Sequence, residues 1–132
     1  MIKYNVDFFQ QKEFRCPCCN KGLASVQLVY FLDNLRRAWD APIRVSSGWR
    51  CEKHNKEVGG SETSRHLIGC AADITLVYAT ELLEPFKYLV KSLTKRRFDW
   101  EVIEYPWGMH VAVPRGEGSF LWDGGDIAVA MK

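Results

Sequence analysis

The sequence predicts an α+β domain: a small, mainly antiparallel sheet with flanking helices. Three observations predict it. Two segments repeat their apolar residues near a 3.6-residue period, four short segments are rich in β-branched and apolar residues, and a polar stretch of about twenty residues lies between the first two of those segments. A chain of 132 residues is expected to form one domain over 1–132 and to bury a core without covalent staples.

The elements follow in order. Residues 1–22 read as irregular and end in the cysteine-rich CPCCNKG. In 23–39, Leu28, Phe31, Leu32, Leu35 and Trp39 fall on one helical stripe. "APIRVSSG" reads as a strand carrying Ile43 and Val45 on one face, closed by Gly48. Residues 49–70 are polar and glycine-bearing, a long loop with one helical turn near 51–57, and a loop of that length in a compact domain is usually functional. "AADITLV" is the second strand. Thr80 is expected to cap a helix reaching Arg97, with Leu82, Phe86, Leu89, Val90 and Leu93 buried and Pro85 starting or kinking it. "WEVIEY" and "MHVAV" are the last strands, joined by a turn at Pro106, Trp107 and Gly108.

Composition narrows the function. The chain is 47% hydrophobic and 26% charged, ordinary globular usage. Eighteen basic and 16 acidic residues leave a net charge of +2, too small to imply a nucleic-acid partner. No apolar run reaches membrane-spanning length, so no membrane insertion is expected. MIKYNVDFFQQKEF lacks the apolar core of a signal peptide, so cytoplasmic synthesis is expected, with release or export by another component if the protein acts outside. Five cysteines, an odd number, argue against a full disulfide framework.

The titrating residues are placed unusually. Strand residues alternate faces. Asp73 shares a face with Ala71 and Thr75, and His110 shares one with Ala112, while bulkier apolar residues take the reverse side of each strand. If the two strands are neighbours, Asp73 and His110 meet, and His66 at the end of the long loop can join them. Two imidazoles and a carboxylate are the protein half of a catalytic zinc site. Taken singly, the same residues read more plainly as a loop histidine, a turn acceptor and a strand histidine.

"SSGWRCEKHNKEVGGSETSRHLIGCAADI" followed by "MHVAV" resembles the zinc D-alanyl-D-alanine carboxypeptidase family, which includes L-alanyl-D-glutamate endopeptidases, and especially its short members from bacteria and phages. The family pattern S-x-H-x(6)-D is present as Ser64, His66 and Asp73, with His110 on a later strand and Ser47-Gly48-Trp49-Arg50 upstream. His54-Asn55, Val58-Gly59-Gly60 and the "EFRCPCC" opening also fit. The resemblance implies a hedgehog/D,D-peptidase-like fold. It implies Zn2+ held by His66, Asp73 and His110, Arg50 stabilising the oxyanion, and Ser64 contacting substrate or orienting His66. The implied substrates are peptidoglycan peptides, the implied activity that of a cell-wall hydrolase or endolysin, and the expected state a monomer.

One position departs from that pattern. Many members carry the acid/base carboxylate three residues before the last histidine, where this chain has Trp107. Glu104 is therefore the expected catalytic base, with Glu101 its local competitor on the opposite face of the strand. Hedgehog signalling domains share the fold and supply the rival reading, a zinc-containing binding or interaction module without turnover. A cysteine hydrolase is a second rival, although Cys70, between Gly69 and Ala71, is expected to be buried. Cys16-x-x-Cys19 and Cys51-x-x-His54 have metal-ligand spacing and could together hold a structural zinc. Packing as small apolar residues is the plainer expectation for Cys16 and Cys19.

Overall fold

The computed structural model describes residues 2–115 and 121–129. Four strands, β2 (Ile43–Ser47), β3 (Ala71–Leu76), β4 (Glu101–Tyr105) and β5 (Gly108–Ala112), form one sheet in the order β2-β3-β5-β4, with every pairing antiparallel. Ala72, Ile74 and Leu76 of β3 and Met109 and Val111 of β5 join the core on one face. Two helices cover that face. The α+β prediction therefore holds.

Helix α1 (Val26–Trp39) begins where the Ser25 hydroxyl accepts the Leu28 amide at 3.1 Å and ends at Asp40, in the left-handed region at φ 59°. Its predicted stripe is the buried one: Leu28, Phe31, Leu32 and Leu35 all lie in the core. Helix α3 (Leu83–Thr94) buries Phe86 and Val90 against the same core. Its boundaries differ from those predicted. Thr80 opens a 3₁₀ turn, Thr80–Leu82, and makes no side-chain cap; the α-helix starts at Leu83, with Pro85 in its first turn, where a missing amide costs nothing. It ends at Thr94, whose hydroxyl bonds back to the Val90 carbonyl at 2.8 Å, three residues before Arg97. Leu82 and Leu93 lie outside the core, and Lys87 is buried in their place with its ammonium on the Tyr105 carbonyl.

The N-terminal segment is more ordered than the sequence suggests. Strand β1 (Ile2–Tyr4) pairs antiparallel with β6 (Ile127–Val129). Tyr4 donates its hydroxyl to Asp33 of α1 at 2.6 Å, and the same buried carboxylate accepts the Phe8 amide at 2.8 Å. A 3₁₀ turn at Gln11–Phe14 then inserts Phe14 beside Trp122. No helix among the described residues is long and apolar enough to cross a membrane.

The second face of the sheet is covered by the segment between β2 and β3. It holds the short helix α2 (Glu52–Glu57) and a 3₁₀ turn at Arg65–Ile68. β4 and β5 form a hairpin over a two-residue turn, Pro106-Trp107, which pairs Tyr105 with Gly108. Only glycine fits at 108, because a Cβ there would lie 2.2 Å from the Ile74 carbonyl oxygen.

A candidate metal centre in the cleft

The antiparallel register sets Asp73 directly opposite His110 across β3 and β5. Both face away from the core, as the alternation of small and bulky residues predicts. His66 reaches them from the 3₁₀ turn, whose first amides are organised by Ser64: the hydroxyl accepts the His66 N–H at 3.2 Å. Ser64 thus caps the turn that carries His66. All three titrating residues are buried.

Their ligand atoms converge. Asp73 Oδ1 lies 2.9 Å from His110 Nδ1 and 3.3 Å from His66 Nε2. One atom from each residue falls within 4.8 Å of the others, a set that could hold a metal ion. The outward nitrogens test the fit. His66 Nδ1 is 2.7 Å from the Gly48 carbonyl, which can only accept, so that nitrogen carries the proton and Nε2 offers its lone pair to the cluster. His110 Nε2 is 3.1 Å from Glu101 Oε1, again an acceptor, which leaves Nδ1 to turn its lone pair inward. Outer acceptors thus prepare both imidazoles as ligands, and two neutral imidazoles with one carboxylate suit Zn2+.

Without a metal, protons fill the same role. Burial works against the carboxylate of Asp73, but hydrogen bonds from His110 and His66 outweigh it and hold its pKa far below the usual range. Burial also opposes charge on His110, yet the carboxylates of Asp73 and Glu101 outweigh that and raise its pKa.

The Ser47-Gly48-Trp49-Arg50 segment builds the wall beside the cluster. Gly48 gives its carbonyl to His66, and a Cβ at that position would strike the Phe14 backbone at 2.7 Å. The Trp49 indole donates to the Leu67 carbonyl at 2.8 Å, and the Arg50 amide donates to the His66 carbonyl at 3.1 Å. The Arg50 guanidinium is fixed on three sides: Nη2 to Asp73 Oδ2 at 3.3 Å, Nε to Ser47 Oγ at 3.2 Å and Nη1 to Asn55 Oδ1 at 3.3 Å. Asn55 is itself held by the Ser61 carbonyl, and Gly60 must lack a Cβ because one would lie 2.0 Å from Asn55 Oδ1. An open cleft results, lined by Arg50, Ser64, His66, Glu101, Tyr105 and His110.

The two glutamates of β4 exchange the places expected of them. Ile103 pairs with His110 and Glu104 with Met109, so 101, 103 and 105 share the face of His110 while Glu104 projects from the other side. There Glu104 pairs with Lys91 of α3 at 3.4 Å. Glu104 is therefore remote from the cluster, and the expectation that it serves as the base is corrected on geometry. Glu101 borders the cleft, with Oε2 at 3.5 Å from Arg65 Nε. The sequence reading passed over Arg65, which also donates to the Asp99 and Val113 carbonyls at 2.6 and 3.1 Å and so ties the loop to the sheet edge. It passed over Asn55 and Tyr105 as functional residues as well; the one available signal was their spacing from Arg50 and His110. Cys70 is buried, as expected, which disfavours a thiol nucleophile.

No curated protein matches the chain. The family model for peptidase M15 matches residues 7–94, about two thirds of the chain, a span that includes Arg50, Ser64, His66 and Asp73 and stops before Glu101 and His110. The two residues beyond the match reach the cluster through the β4-β5 hairpin, so the fold and the sequence match complete one another: the chain belongs to the peptidase M15 family.

Proposed function

We propose that this protein is a zinc-dependent peptidase that hydrolyses bonds in the peptide part of bacterial peptidoglycan. The observation that carries the reading is the convergence of His66 Nε2, Asp73 Oδ1 and His110 Nδ1 on one point at the floor of an open cleft, with both outer ring nitrogens already committed to acceptors. These three atoms would hold the metal. When bound, Zn2+ supplies Lewis acidity, polarising a carbonyl and lowering the pKa of water.

The chain's own residues supply the rest. Arg50 is a fixed cation on the wall of the cleft, where negative charge develops on a carbonyl oxygen under attack. Its three hydrogen bonds hold it in place before substrate arrives, so little reorganisation is needed during reaction. Ser64 sets the direction of His66, and Glu101 sets that of His110. Glu101, part-exposed at the cleft edge, is the carboxylate that borders the cleft in place of Glu104, and it acts by holding His110 Nε2 so that Nδ1 faces the cluster. The exposed side chain of Trp107 and the stacked Tyr105, ring centroids 5.0 Å apart, form an aromatic rim on which a peptide can lie.

The direct test is incubation of the zinc-loaded protein with defined wall peptides, followed by mass analysis of the products. Cleavage beside a D-residue is the expected result, and the product masses identify the bond and separate carboxypeptidase from endopeptidase action. Zinc bound at full occupancy with no cleavage of any wall peptide would replace this reading with that of a binding module.

A further inference from the structure

A second cluster of metal-binding side chains lies outside the cleft. The sulfurs of Cys16, Cys19 and Cys51 are all within 4.8 Å of one another, and Cys16 Sγ is 3.7 Å from Cys51 Sγ. Cys19 completes a set of three with that pair, and Cys18 is its neighbour on the same short segment, exposed. None of them is in a disulfide. Zinc–thiolate bonds of about 2.3 Å in a tetrahedron place the sulfurs about 3.8 Å apart. The Cys16–Cys51 separation matches that edge.

The backbone is shaped for the same purpose. Arg15 and Gly22 bridge, the Cys16 amide donates to the Lys21 carbonyl at 2.7 Å, and the Asn20 amide returns to the Cys16 carbonyl at 2.8 Å with Asn20 at φ 60°. A tight knuckle results. The His54 amide N–H points at the Cys51 sulfur at 3.4 Å. Such a donor stabilises thiolate, the form that binds metal.

We propose that Cys16, Cys19 and Cys51 form a structural site for a soft divalent cation of the zinc class, separate from the His66–Asp73–His110 centre, with the adjacent Cys18 available as the fourth ligand. Each metal–sulfur bond replaces an S–H bond, the proton leaves to solvent, and no electron is transferred. His54 takes no part: its imidazole turns toward Glu57 and the side of the cleft beside Asp73, which corrects the cysteine-histidine set that spacing alone suggests. The site fastens the knuckle to the residue that follows Arg50. Cys51 is the N-cap of α2, so the metal would anchor the cleft wall from behind.

The test uses the whole chain prepared under reducing conditions with Zn2+ and, in parallel, Co2+. The parent is expected to hold two metal ions and His110→Ala one. Cobalt-loaded His110→Ala should show intense thiolate-to-metal charge transfer and tetrahedral ligand-field bands. Cys16→Ser combined with Cys51→Ser should remove that absorption and leave one metal ion per chain. Should the double variant not fold, the folded parent decides: the thiols of Cys16, Cys19 and Cys51 should resist a thiol reagent until a chelator is added. A metal content left unchanged by the Cys16→Ser and Cys51→Ser pair, absence of thiolate-to-cobalt absorption, immediate reaction of Cys16, Cys19 and Cys51 in metal-loaded protein, or a Cys16–Cys51 disulfide in zinc-replete protein would each overturn the proposal.

Discussion

Asp73 and His110 occupy the same register position of adjacent antiparallel strands, and Asp73 Oδ1 meets His110 Nδ1 at 2.9 Å. A directly opposed pair on one face of a sheet is held by the backbone ladder of both strands. Two of the three proposed metal ligands therefore owe their separation to the sheet. The third, His66, owes its position to a short turn capped by Ser64.

That difference bears on metal retention. Alanine at His66, Asp73 or His110 is expected to abolish tight zinc binding in the cleft, since each supplies one of three ligands. Ser64→Ala should leave the ligands present but loosen one of them. About a tenfold fall in affinity is expected for it, the lower end of the range for losing an outer-shell partner. Competition against a chromophoric chelator measures both effects. Retention of parental affinity in Asp73→Ala would remove the proposed centre.

Exchanging the two glutamates of β4 separates the sequence expectation from the geometry. Glu101→Gln keeps size and removes the charge beside His110, so turnover of wall peptides should fall by about 10- to 100-fold, the range for losing an outer-shell partner. The basic or acidic limb of its pH–rate profile should move as well, because His110 loses a carboxylate neighbour. Glu104→Gln breaks only the exposed pair with Lys91 and should turn over at close to the parental rate. Rates of the two variants on one defined peptide settle the choice, and the reverse order would restore Glu104 as the base.

Arg50 is expected to matter for rate more than for folding. Arg50→Ala should lower kcat by about 10²–10³, the scale of losing one oxyanion donor. Lysine should restore only part of the loss, because a point charge cannot contact Ser47, Asn55 and Asp73 together. Circular dichroism and zinc content should stay near parental values. An unchanged kcat in Arg50→Ala would confine Arg50 to holding Asp73.

The pH dependence of the metal-free and zinc-bound forms should run in opposite directions. In the metal-free protein Asp73 has a depressed pKa, so its contribution is present above the ordinary value of 3.8 and is lost as pH falls toward the depressed one. His110 has a raised pKa, so its contribution is present below the ordinary 6.5 and is lost as pH rises through the raised value. For these two groups, the metal-free fold is thus best supported between about pH 4 and 6.5. Zinc needs both imidazoles neutral and competes with those protons. The rise in Tm on adding zinc should therefore grow from pH 5.5 to about pH 8. Thermal unfolding with and without the metal across that range checks the sign, and a zinc-induced rise that shrinks with pH would refute it.

Much of the site was legible because it depends on local patterns. Alternation in "AADITL" and "MHVAV" is enough to turn Asp73 and His110 to one face, and the apolar stripe of α1 is enough to place the helix on the other. Glu104 was misread because alternation gives two faces without saying which of them meets His110. Register decides that, and register follows from the length of the hairpin turn: two residues at 106 and 107 pair 105 with 108 and hence 103 with 110. Thr80 had the chemistry of a cap, yet the 3₁₀ turn it opens comes first and the α-helix starts three residues later. β1 and β6 were not legible at all. Each has three residues and finds its partner at the far end of the sequence, so neither leaves a local signal.

The pairing of Ile2 with Val129 has a consequence for how the protein is assembled. It joins two segments separated by nearly the whole chain, and the entropy of closing a loop grows with its length. The hairpin of β4 and β5 closes two residues, and the α1–β2 connection is similarly short. These local units can form early, whereas the ladder between β1 and β6 contributes only once the intervening core has brought its two halves together. The candidate cleft lies within the segment between these two strands. By loop-closure entropy alone, the β1–β6 ladder is a clasp that closes after the sheet behind the cleft has formed.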